Sequence, residues 1–235
     1  MGDLMERIPS GIPGLDEMIE GGFRKHSNIL ITGGCGSGKT TFCMQYLVEG
    51  AKQNEPGIYI TFEEDVEPMK ENMKRHGWDL DKLIKDKKLE ILRIDPKDVM
   101  HVVKEDYGEI VDGISDISAQ RVIIDSISSI EMMIQDEFER RKHILSLIGW
   151  LRNHKCTTLM IAEAEQNINA YSRHGVIEFI VDGVIVLYNL RRESARHRAI
   201  EILKMRGTNH VTKIVPFMIS QGIELLPKQK LFGVI

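Results

Sequence analysis

A glycine-rich stretch at residues 33–40, GGCGSGKT, constrains this chain more than any other segment. It fits the pattern G-x-x-x-x-G-K-[ST], in which glycines let the backbone curl until successive amide groups point at phosphate oxygens. A buried strand is predicted before the stretch and a helix directly after it, so the positive end of the helix dipole faces the same anion. The segment therefore predicts a site for nucleotide phosphates, although it does not distinguish adenine from guanine.

The residue types in this loop suit the parts of a nucleotide triphosphate. Lys39 is predicted to reach the β- and γ-phosphates, and the hydroxyl group of Thr40 is predicted to bind Mg²⁺. A glycine-rich turn that binds nothing is disfavoured, because strand, loop and helix follow in the order that phosphate binding requires. The predicted phosphate-binding residues are Gly34, Cys35, Gly36, Ser37, Gly38, Lys39, Thr40 and Thr41.

Strand and helix patterns alternate along the chain, which predicts an α/β fold with a mostly parallel central sheet and helices on both faces. Because the last four strands follow one another without helices, antiparallel pairing is expected to extend the sheet at one edge. In the final helix, the spacing predicts that Ile144 is buried and that Arg140 faces water. The predicted strands are 27–32, 57–62, 89–94, 121–125, 157–162, 183–190, 198–205, 214–220 and 222–226. The predicted helices are 40–53, 66–76, 97–118 and 136–154.

Carboxylates follow two of the predicted strands. Asp125 ends an apolar strand at the sheet edge where the phosphate loop lies, and it is predicted to hold Mg²⁺. Glu63 and Glu64 follow another strand at the same edge, where one of them can polarise a water for attack on the γ-phosphate while the charge of the other acts on it. A turn-forming aspartate and an acidic helix start are the structural alternatives. The residues do not decide which glutamate is the base.

Several further segments, found in one order along residues 8–226, make the sequence similar to the KaiC family of RecA-type ATPases. These segments are IPSGIPGLD (8–16) with Gly21 and Gly22, GWDL (77–80) after the glutamate pair, GVIEF (175–179) and IEILKMRGT (200–208).

The resemblance implies a RecA-like fold, ATP and Mg²⁺ as ligands, and a homo-oligomeric ring, usually a hexamer, with ATP between subunits. Carried over to this sequence, it implies that Lys204 and Arg206 contact the γ-phosphate of a neighbouring subunit, as an arginine finger does. Without the resemblance, both residues would be interpreted as charges that protect an edge strand from aggregation. Glu178 and Phe179 stand where KaiC carries its self-phosphorylated residues. Neither has a hydroxyl group, so no autokinase activity is expected there.

Two other features allow more than one interpretation. Glu163 and Gln166 follow a central strand, where RecA-like proteins often place a γ-phosphate sensor, but a polar loop is an equal alternative. A basic run near the C-terminus favours a solvated hairpin tip over a subunit or nucleic-acid contact, because no aromatic residues interleave with it. The basic run consists of Arg191, Arg192, Arg196, His197 and Arg198.

Length and charge set the remaining limits. A chain of 235 residues with 42% hydrophobic residues predicts one large domain spanning residues 1–235. A formal charge of −4 does not indicate nucleic acid or an anionic membrane as a partner. The cysteines lack metal or disulfide spacing, and no apolar run approaches the ~20 residues that span a bilayer, so a cytoplasmic protein is expected. The alternatives to an ATPase are an ATP-regulated module that grips a partner protein and a RadA-like paralogue that modulates DNA recombination.

Overall fold

The structure is a computed structural model that describes residues 6–95, 98, 108–164, 175–192 and 194–229. Its strands are β1 (Arg7–Ile8), β2 (Phe23–Arg24), β3 (Asn28–Gly33), β4 (Gly57–Thr61), β5 (Leu89–Arg93), β6 (Arg121–Asp125), β7 (Thr157–Glu163), β8 (Gly183–Arg192), β9 (Ala195–Met205), β10 (Val215–Ile219) and β11 (Ile223–Leu225). Its α-helices are α1 (Lys39–Lys52), α2 (Val66–Lys74), α3 (Leu80–Lys85), α4 (Gly108–Asp116), α5 (Ile127–Met133), α6 (Glu137–Asn153) and α7 (Ile177–Ile180).

Within the described residues, nine strands form one sheet in the order β11-β10-β9-β8-β3-β7-β6-β4-β5. Neighbouring strands from β8 to β5 run parallel, and those from β8 to β11 run antiparallel. The predicted α/β architecture with an antiparallel C-terminal extension is therefore confirmed. Strand β8 joins the two parts of the sheet: it pairs in parallel with β3 on one side and antiparallel with β9 on the other. The basic run lies largely within these two paired strands rather than in a loop between them.

The sheet separates two hydrophobic cores, and the alternation of side chains along each strand explains why. On β3, Ile29 and Ile31 belong to the core beneath α1, whereas Leu30 belongs to the core beneath α5 and α6. Side chains of a strand point to opposite faces in turn, so a central strand covered by helices on both sides is apolar throughout. This burial fixes β3, and with it the loop that follows β3 at the carboxyl edge of the sheet.

The observed positions of the predicted helices agree with prediction better than the predicted exposure of their side chains does. Helix α6 matches its predicted range, and Asp136 caps it by accepting a hydrogen bond from the amide of Glu139 at 2.9 Å. The prediction that Arg140 faces water is wrong, because Arg140 is buried and its Nε donates to the carbonyl oxygens of Glu131 and Ile134. Its guanidinium thereby satisfies carbonyl groups at the end of α5.

Four helical segments differ from prediction. Helices α3, α5 and α7 are additional to the predicted set. Of the helix predicted over 97–118, the structure shows α4, which passes through Gly113 without a break. The predicted residues 97 and 99–107 lie outside the described part of the chain. No helix within the described residues has the length and apolar character needed to span a membrane.

Candidate nucleotide-binding site

The phosphate loop joins the end of β3 to the start of α1, as predicted. At its last turn Gly38 has a φ of 98°, and a Cβ there would lie 2.8 Å from Cδ1 of Ile219. Both facts favour glycine, since other residues rarely adopt this backbone conformation. The glycine thus lets α1 begin at Lys39, with its first amide groups directed at the loop.

The ammonium group of Lys39 lies inside the curl of this loop. Its Nζ donates to the carbonyl oxygens of Gly33 at 2.8 Å and Gly34 at 3.1 Å. Burial lowers the pKa of Lys39, and the negative charges of Glu163 and Asp125 oppose that shift. The lysine is therefore positioned beside acidic residues that come from other strands.

Those acidic residues and the loop line one cleft. Lys39 and Thr40 contribute from the loop side, and the carboxylates predicted to manage metal and water contribute from across the sheet edge. The cleft is lined by Lys39, Thr40, Glu63, Glu64, Asp125, Ser126, Ile161 and Glu163. The structure thus brings together five residues that the sequence assigns to metal and γ-phosphate chemistry, together with Glu163. Gln166 lies outside the described residues.

The other predicted phosphate-binding residues belong to the loop and the first turn of α1, but they are not among the residues that line the cleft. Cys35 is exposed at the tip, and Thr41 is half-buried in the first turn of α1. Ser37 is fully buried, and its hydroxyl group has no hydrogen-bond partner among the described residues. Gly34, Gly36 and Gly38 complete the curl. Their predicted contribution is through backbone amides, and it stays a prediction.

Asp125 ends β6 at the floor of the cleft. Tyr59, a buried residue of the neighbouring strand β4, donates a hydrogen bond to its Oδ2. Burial raises the pKa of Asp125 to about 6; the hydrogen bond from Tyr59 opposes the shift, and the charges of Glu63 and Glu64 add to it. Tyr59 therefore fixes the orientation of this carboxylate. The sequence did not single out Tyr59, although the pairing of β4 with β6 makes its side chain a neighbour of Asp125.

Glu63 and Glu64 share a backbone anchor but have different side-chain surroundings. The amides of both residues donate to Oγ1 of Thr61, which ends β4. The side chain of Glu63 accepts hydrogen bonds from Ser126 and Ser129, two of the three serines that follow β6. Burial raises the pKa of Glu64, and a hydrogen bond with Asn72 opposes that shift. The two carboxylates are thus tied to different helices, α5 and α2.

The oxygen atoms at this edge fit a magnesium ion bound together with a nucleotide. Thr40 and Asp125 face one cleft, and both offer oxygen ligands. Mg²⁺ is usually held by one or two protein oxygens, with phosphates and waters completing its shell. Among the described residues, no cluster of three or more histidine, cysteine or acidic side chains is arranged to hold a metal without such help. The donor set therefore suits a metal that arrives with a triphosphate.

Two residues of the β8–β9 hairpin support the loop from outside the cleft. Nδ2 of Asn189 donates to the carbonyl oxygen of Cys35 at 3.1 Å, and Nε of Arg198 donates to that of Gly36 at 3.3 Å. Arg198 was expected at a solvated hairpin tip, whereas it is half-buried and contacts the phosphate loop. Only the pairing of β8 with β3 could have revealed this contact.

Lys204 and Arg206 lie away from the cleft of their own chain. Lys204 pairs with Val184, and the amide of Arg206 donates to Asp182 at the start of β8. The amide of Asp182 in turn donates to the carbonyl oxygen of Asn28, the first residue of β3. Asn28 lies five residues before Gly33, which corresponds to about 16 Å along a strand. The two cations therefore lie toward the opposite edge of the sheet from the phosphate loop.

Both cations are held by the backbone of α7. Nζ of Lys204 donates to the carbonyl oxygen of Glu178, and Nη2 of Arg206 donates to that of Phe179, each at 2.8 Å. Burial lowers the pKa of Lys204, and the charge of Arg206 lowers it further. This arrangement presents a fixed cationic arm at the surface beside Phe179, whose side chain is 67% exposed.

Comparison with known proteins adds three findings. A sequence model of the family described as "ATPase: KaiC" matches residues 8–230. The circadian clock protein KaiC3 of Synechocystis is 33% identical over 234 residues, which cover 96% of this chain and 46% of that protein. The circadian clock oscillator protein KaiC of Prochlorococcus marinus subsp. pastoris is 37% identical over 220 residues, which cover 91% of this chain and 43% of that protein. The chain thus spans less than half the length of these curated relatives.

A solved structure matches over the full length of its chain. It is the crystal structure of a KaiC-like protein from the hyperthermophilic archaeon Pyrococcus horikoshii, with a TM-score of 0.84 and 38% sequence identity. The match covers 95% of this chain and 100% of that one. The predicted RecA-like fold is thereby confirmed.

Proposed function

Because the chain belongs to the KaiC family of RecA-type ATPases, we propose that it binds Mg-ATP in the cleft and hydrolyses it slowly, as a cytoplasmic homohexameric ring with ATP at the subunit interfaces. The observation that carries the proposal is a single cleft in which Lys39 and Thr40 of the phosphate loop meet Asp125 and Glu63. Hydrolysis of a terminal phosphate needs this combination: cationic and amide groups for the phosphates, and carboxylates for metal and water.

Each side chain has a part that follows from its position. Lys39 and the loop amides bind the β- and γ-phosphates, and Thr40 and Asp125 hold Mg²⁺, with Tyr59 fixing the Asp125 carboxylate. Mg²⁺ held there would supply positive charge that offsets the charge of the phosphates. Glu63 orients the attacking water and accepts its proton.

The base is assigned to Glu63 rather than Glu64 on the basis of their contacts. Glu63 is held beside Asp125 by the serines that follow β6, whereas Glu64 is drawn toward Asn72 of α2. A base acts through a carboxylate that is kept in one orientation near the reacting atoms. Glu64 contributes negative charge next to that carboxylate.

Lys204 and Arg206 complete the site of a neighbouring subunit. Both are held by the backbone of α7, toward the sheet edge that lies away from their own phosphate loop. A head-to-tail ring brings this edge of one subunit to the loop edge of the next. The cationic arm then contacts the γ-phosphate in trans, where it stabilises the charge that develops during hydrolysis.

The test is a measurement of mass in solution with and without Mg-ATP, with phosphate release recorded on the same sample. The expected result is assembly with ATP and a turnover per subunit that rises with protein concentration. Glu63→Gln combined with Glu64→Gln should assemble without releasing phosphate. The double variant Glu67→Gln with Glu71→Gln, on the exposed face of α2, is the matched control. Full hydrolysis by the first variant contradicts the catalytic assignment, and a fully active monomer contradicts the ring.

The second candidate function is an ATP-regulated assembly module whose ring grips a partner protein. Two exposed phenylalanines favour it, because an exposed aromatic side chain offers apolar area to a partner protein. Phe138 is 73% exposed and Phe179 is 67% exposed. ATP-dependent assembly with negligible phosphate release in the same experiment supports this function over the first.

A further inference from the structure

A serine at the start of α5 holds one carboxylate of the glutamate pair. Oγ of Ser129 donates to Oε1 of Glu63 at 2.6 Å, and Oγ of Ser126 lies 3.1 Å from the same oxygen. The two hydroxyl groups are also 3.2 Å apart. Each hydroxyl has one proton, and the shorter contact belongs to Ser129, so Ser129 is the principal donor to Glu63.

Ser129 is a rigid donor because α5 is fixed on several sides. Ser129 is 5% exposed, and the flanking Ile127 and Ile130 are buried in the core beneath the sheet. Oγ of Ser128 accepts a hydrogen bond from the amide of Glu163 at the end of β7. The first turn of α5 is thereby attached both to the core and to the neighbouring strand.

The geometry leaves the second oxygen of Glu63 available. Both serine contacts go to Oε1, and Oε2 has no hydrogen-bond partner in the part of the chain that the structure describes. The side chain of Glu63 is exposed on the cleft side. An exposed glutamate normally samples several rotamers, so a buried donor on one oxygen restricts the direction of the other.

We propose that Ser129 is a positioning residue for ATP hydrolysis: it fixes Glu63 through Oε1 so that Oε2 can accept the hydrogen bond of the attacking water. The inference rests on the proposed function, because it names the group that orients the proposed base. Ser126 is a weaker second donor to the same oxygen. Ser129 is not among the residues that line the cleft, and it acts only through Glu63.

The effect of Ser129 belongs to the chemical step rather than to nucleotide binding. Phosphate binding depends on the loop and on Lys39, which Ser129 does not contact. Orientation of a base by a fixed donor lowers the barrier, since misplacing a reacting group by ~1 Å costs up to about a hundredfold in rate. Removal of the hydroxyl group should therefore lower kcat and leave KM unchanged.

The experiment compares Ser129→Ala, Ser129→Thr and wild type by steady-state phosphate release and by calorimetric titration with Mg-ATP. We expect Ser129→Ala to lower kcat about tenfold, with KM and the dissociation constant within about twofold of wild type. Ser129→Thr keeps the hydroxyl group and should restore kcat to within about threefold of wild type. Ser115→Ala removes an exposed helical serine hydroxyl from α4, where Oγ of Ser115 donates to the carbonyl oxygen of Val111, and serves as the matched control.

Each outcome decides a different claim. Wild-type kcat in Ser129→Ala overturns the positioning role and leaves the proposed function intact. A loss of ATP affinity as large as the loss of rate, or no recovery in Ser129→Thr, assigns Ser129 a merely structural role and also overturns the inference. Absence of phosphate release from the wild type overturns the proposed function, and the inference with it.

Discussion

In the proposed site, Lys39 supplies the ammonium group that binds the phosphates. It is drawn into the loop by the carbonyl oxygens of Gly33 and Gly34, and burial lowers its pKa. A partly desolvated cation interacts strongly with an incoming anion, because little water remains to be displaced. The position of Lys39 inside the loop therefore suits the proposed phosphate binding.

We expect Lys39→Ala to weaken Mg-ATP binding by about a hundredfold or more, because hydrogen bonds to charged groups contribute up to ~3 kcal/mol each. Isothermal titration calorimetry on nucleotide-free protein measures the change. Lys52→Ala, at the exposed end of the same helix, is the control and should bind as the wild type does. Equal affinities for the two variants would contradict the role of Lys39.

Glu131 is a second unusual ionisable residue, and the site chemistry does not use it. Its side chain is fully buried near the end of α5, and neither carboxylate oxygen has a hydrogen-bond partner among the described residues. Burial raises the pKa of Glu131 to about 7; the charge of Arg140 opposes the shift, and that of Glu178 adds to it. The folded protein therefore binds this proton more tightly than the unfolded chain does.

The raised pKa predicts a pH-dependent loss of stability. Below about pH 4.3, the pKa of a glutamate in an unfolded chain, Glu131 is neutral in both states. As the pH rises from there to about 7, the unfolded chain ionises first, and the free energy of unfolding falls by on the order of 3 kcal/mol. Glu131→Gln removes this dependence, so its free energy of unfolding should exceed that of wild type by more at pH 8 than at pH 5. Urea denaturation at both pH values measures the difference. Glu137→Gln, an exposed change in α6, is the control. A difference that does not vary with pH would refute the prediction.

Residues with a proposed direct role at the site were easier to select from the sequence than residues that support them. Lys39, Asp125 and Glu63, which the structure brings to one cleft, could be selected because each stands at a fixed place in a strand–loop motif. Tyr59 and Ser129 were missed, since their roles depend on which strand and helix lie next to them in space. Their chemistry is common to many buried tyrosines and helical serines, so the sequence offers no separate signal.

Strand β6 brings a buried arginine to the junction of several segments. Nε and Nη2 of Arg121 donate to Oε2 of Glu55 at 2.8 and 2.6 Å, and Nη1 donates to the carbonyl oxygens of Pro9 and Tyr46. The guanidinium also lies over the ring of Tyr46, 4.5 Å from its centroid. The strand, helix α1 and the N-terminal segment are thus joined through one side chain.

We expect Arg121→Met to lower the free energy of unfolding by about 3–5 kcal/mol, because it leaves Glu55 and two carbonyl groups without their donor in a poorly hydrated place. Arg93→Met is the matched control. Arg93 pairs with Asp65 at the surface, where the two side chains are 38% and 71% exposed, so this change should cost less than about 1 kcal/mol. Chemical denaturation of the two variants measures both values, and similar losses would contradict the argument.

Apolar strands and the long amphipathic helix were predictable, and a short buried helix was not. Strands β3, β4 and β6 are apolar runs in the sequence, and α6 shows a helical spacing with capping residues at both ends. Helix α5 has seven residues, of which five consecutive ones are buried, so its sequence has neither a polar face nor a helical period. Secondary structure of this kind is decided by tertiary packing rather than by local pattern.

The phosphate loop and the cationic arm of Lys204 and Arg206 lie toward opposite ends of the parallel strands in one chain. Strand register alone gives this separation, because Lys204 pairs with Val184 near the start of β8, whereas the loop follows Gly33, which pairs with Leu187 further along the same strand. The family resemblance predicted a contact in trans, but no local pattern could show where the arm lies. A chain built this way has both halves of the proposed catalytic site without joining them itself.

Mixing two inactive variants tests whether the halves meet across subunits. Arg206→Ala lacks the arm and keeps its glutamates, whereas Glu63→Gln with Glu64→Gln lacks the base and keeps the arm. In an equal mixture, about a quarter of the interfaces of a head-to-tail ring combine an intact base with a neighbour's intact arm, so about a quarter of wild-type phosphate release should return. If the arm acted on the nucleotide of its own chain, every site in the mixture would lack one group and no activity would return. Each variant can also be mixed with Lys39→Ala protein. The glutamate variant should recover no phosphate release in that mixture, because its own sites lack the base and the Lys39→Ala sites do not bind ATP.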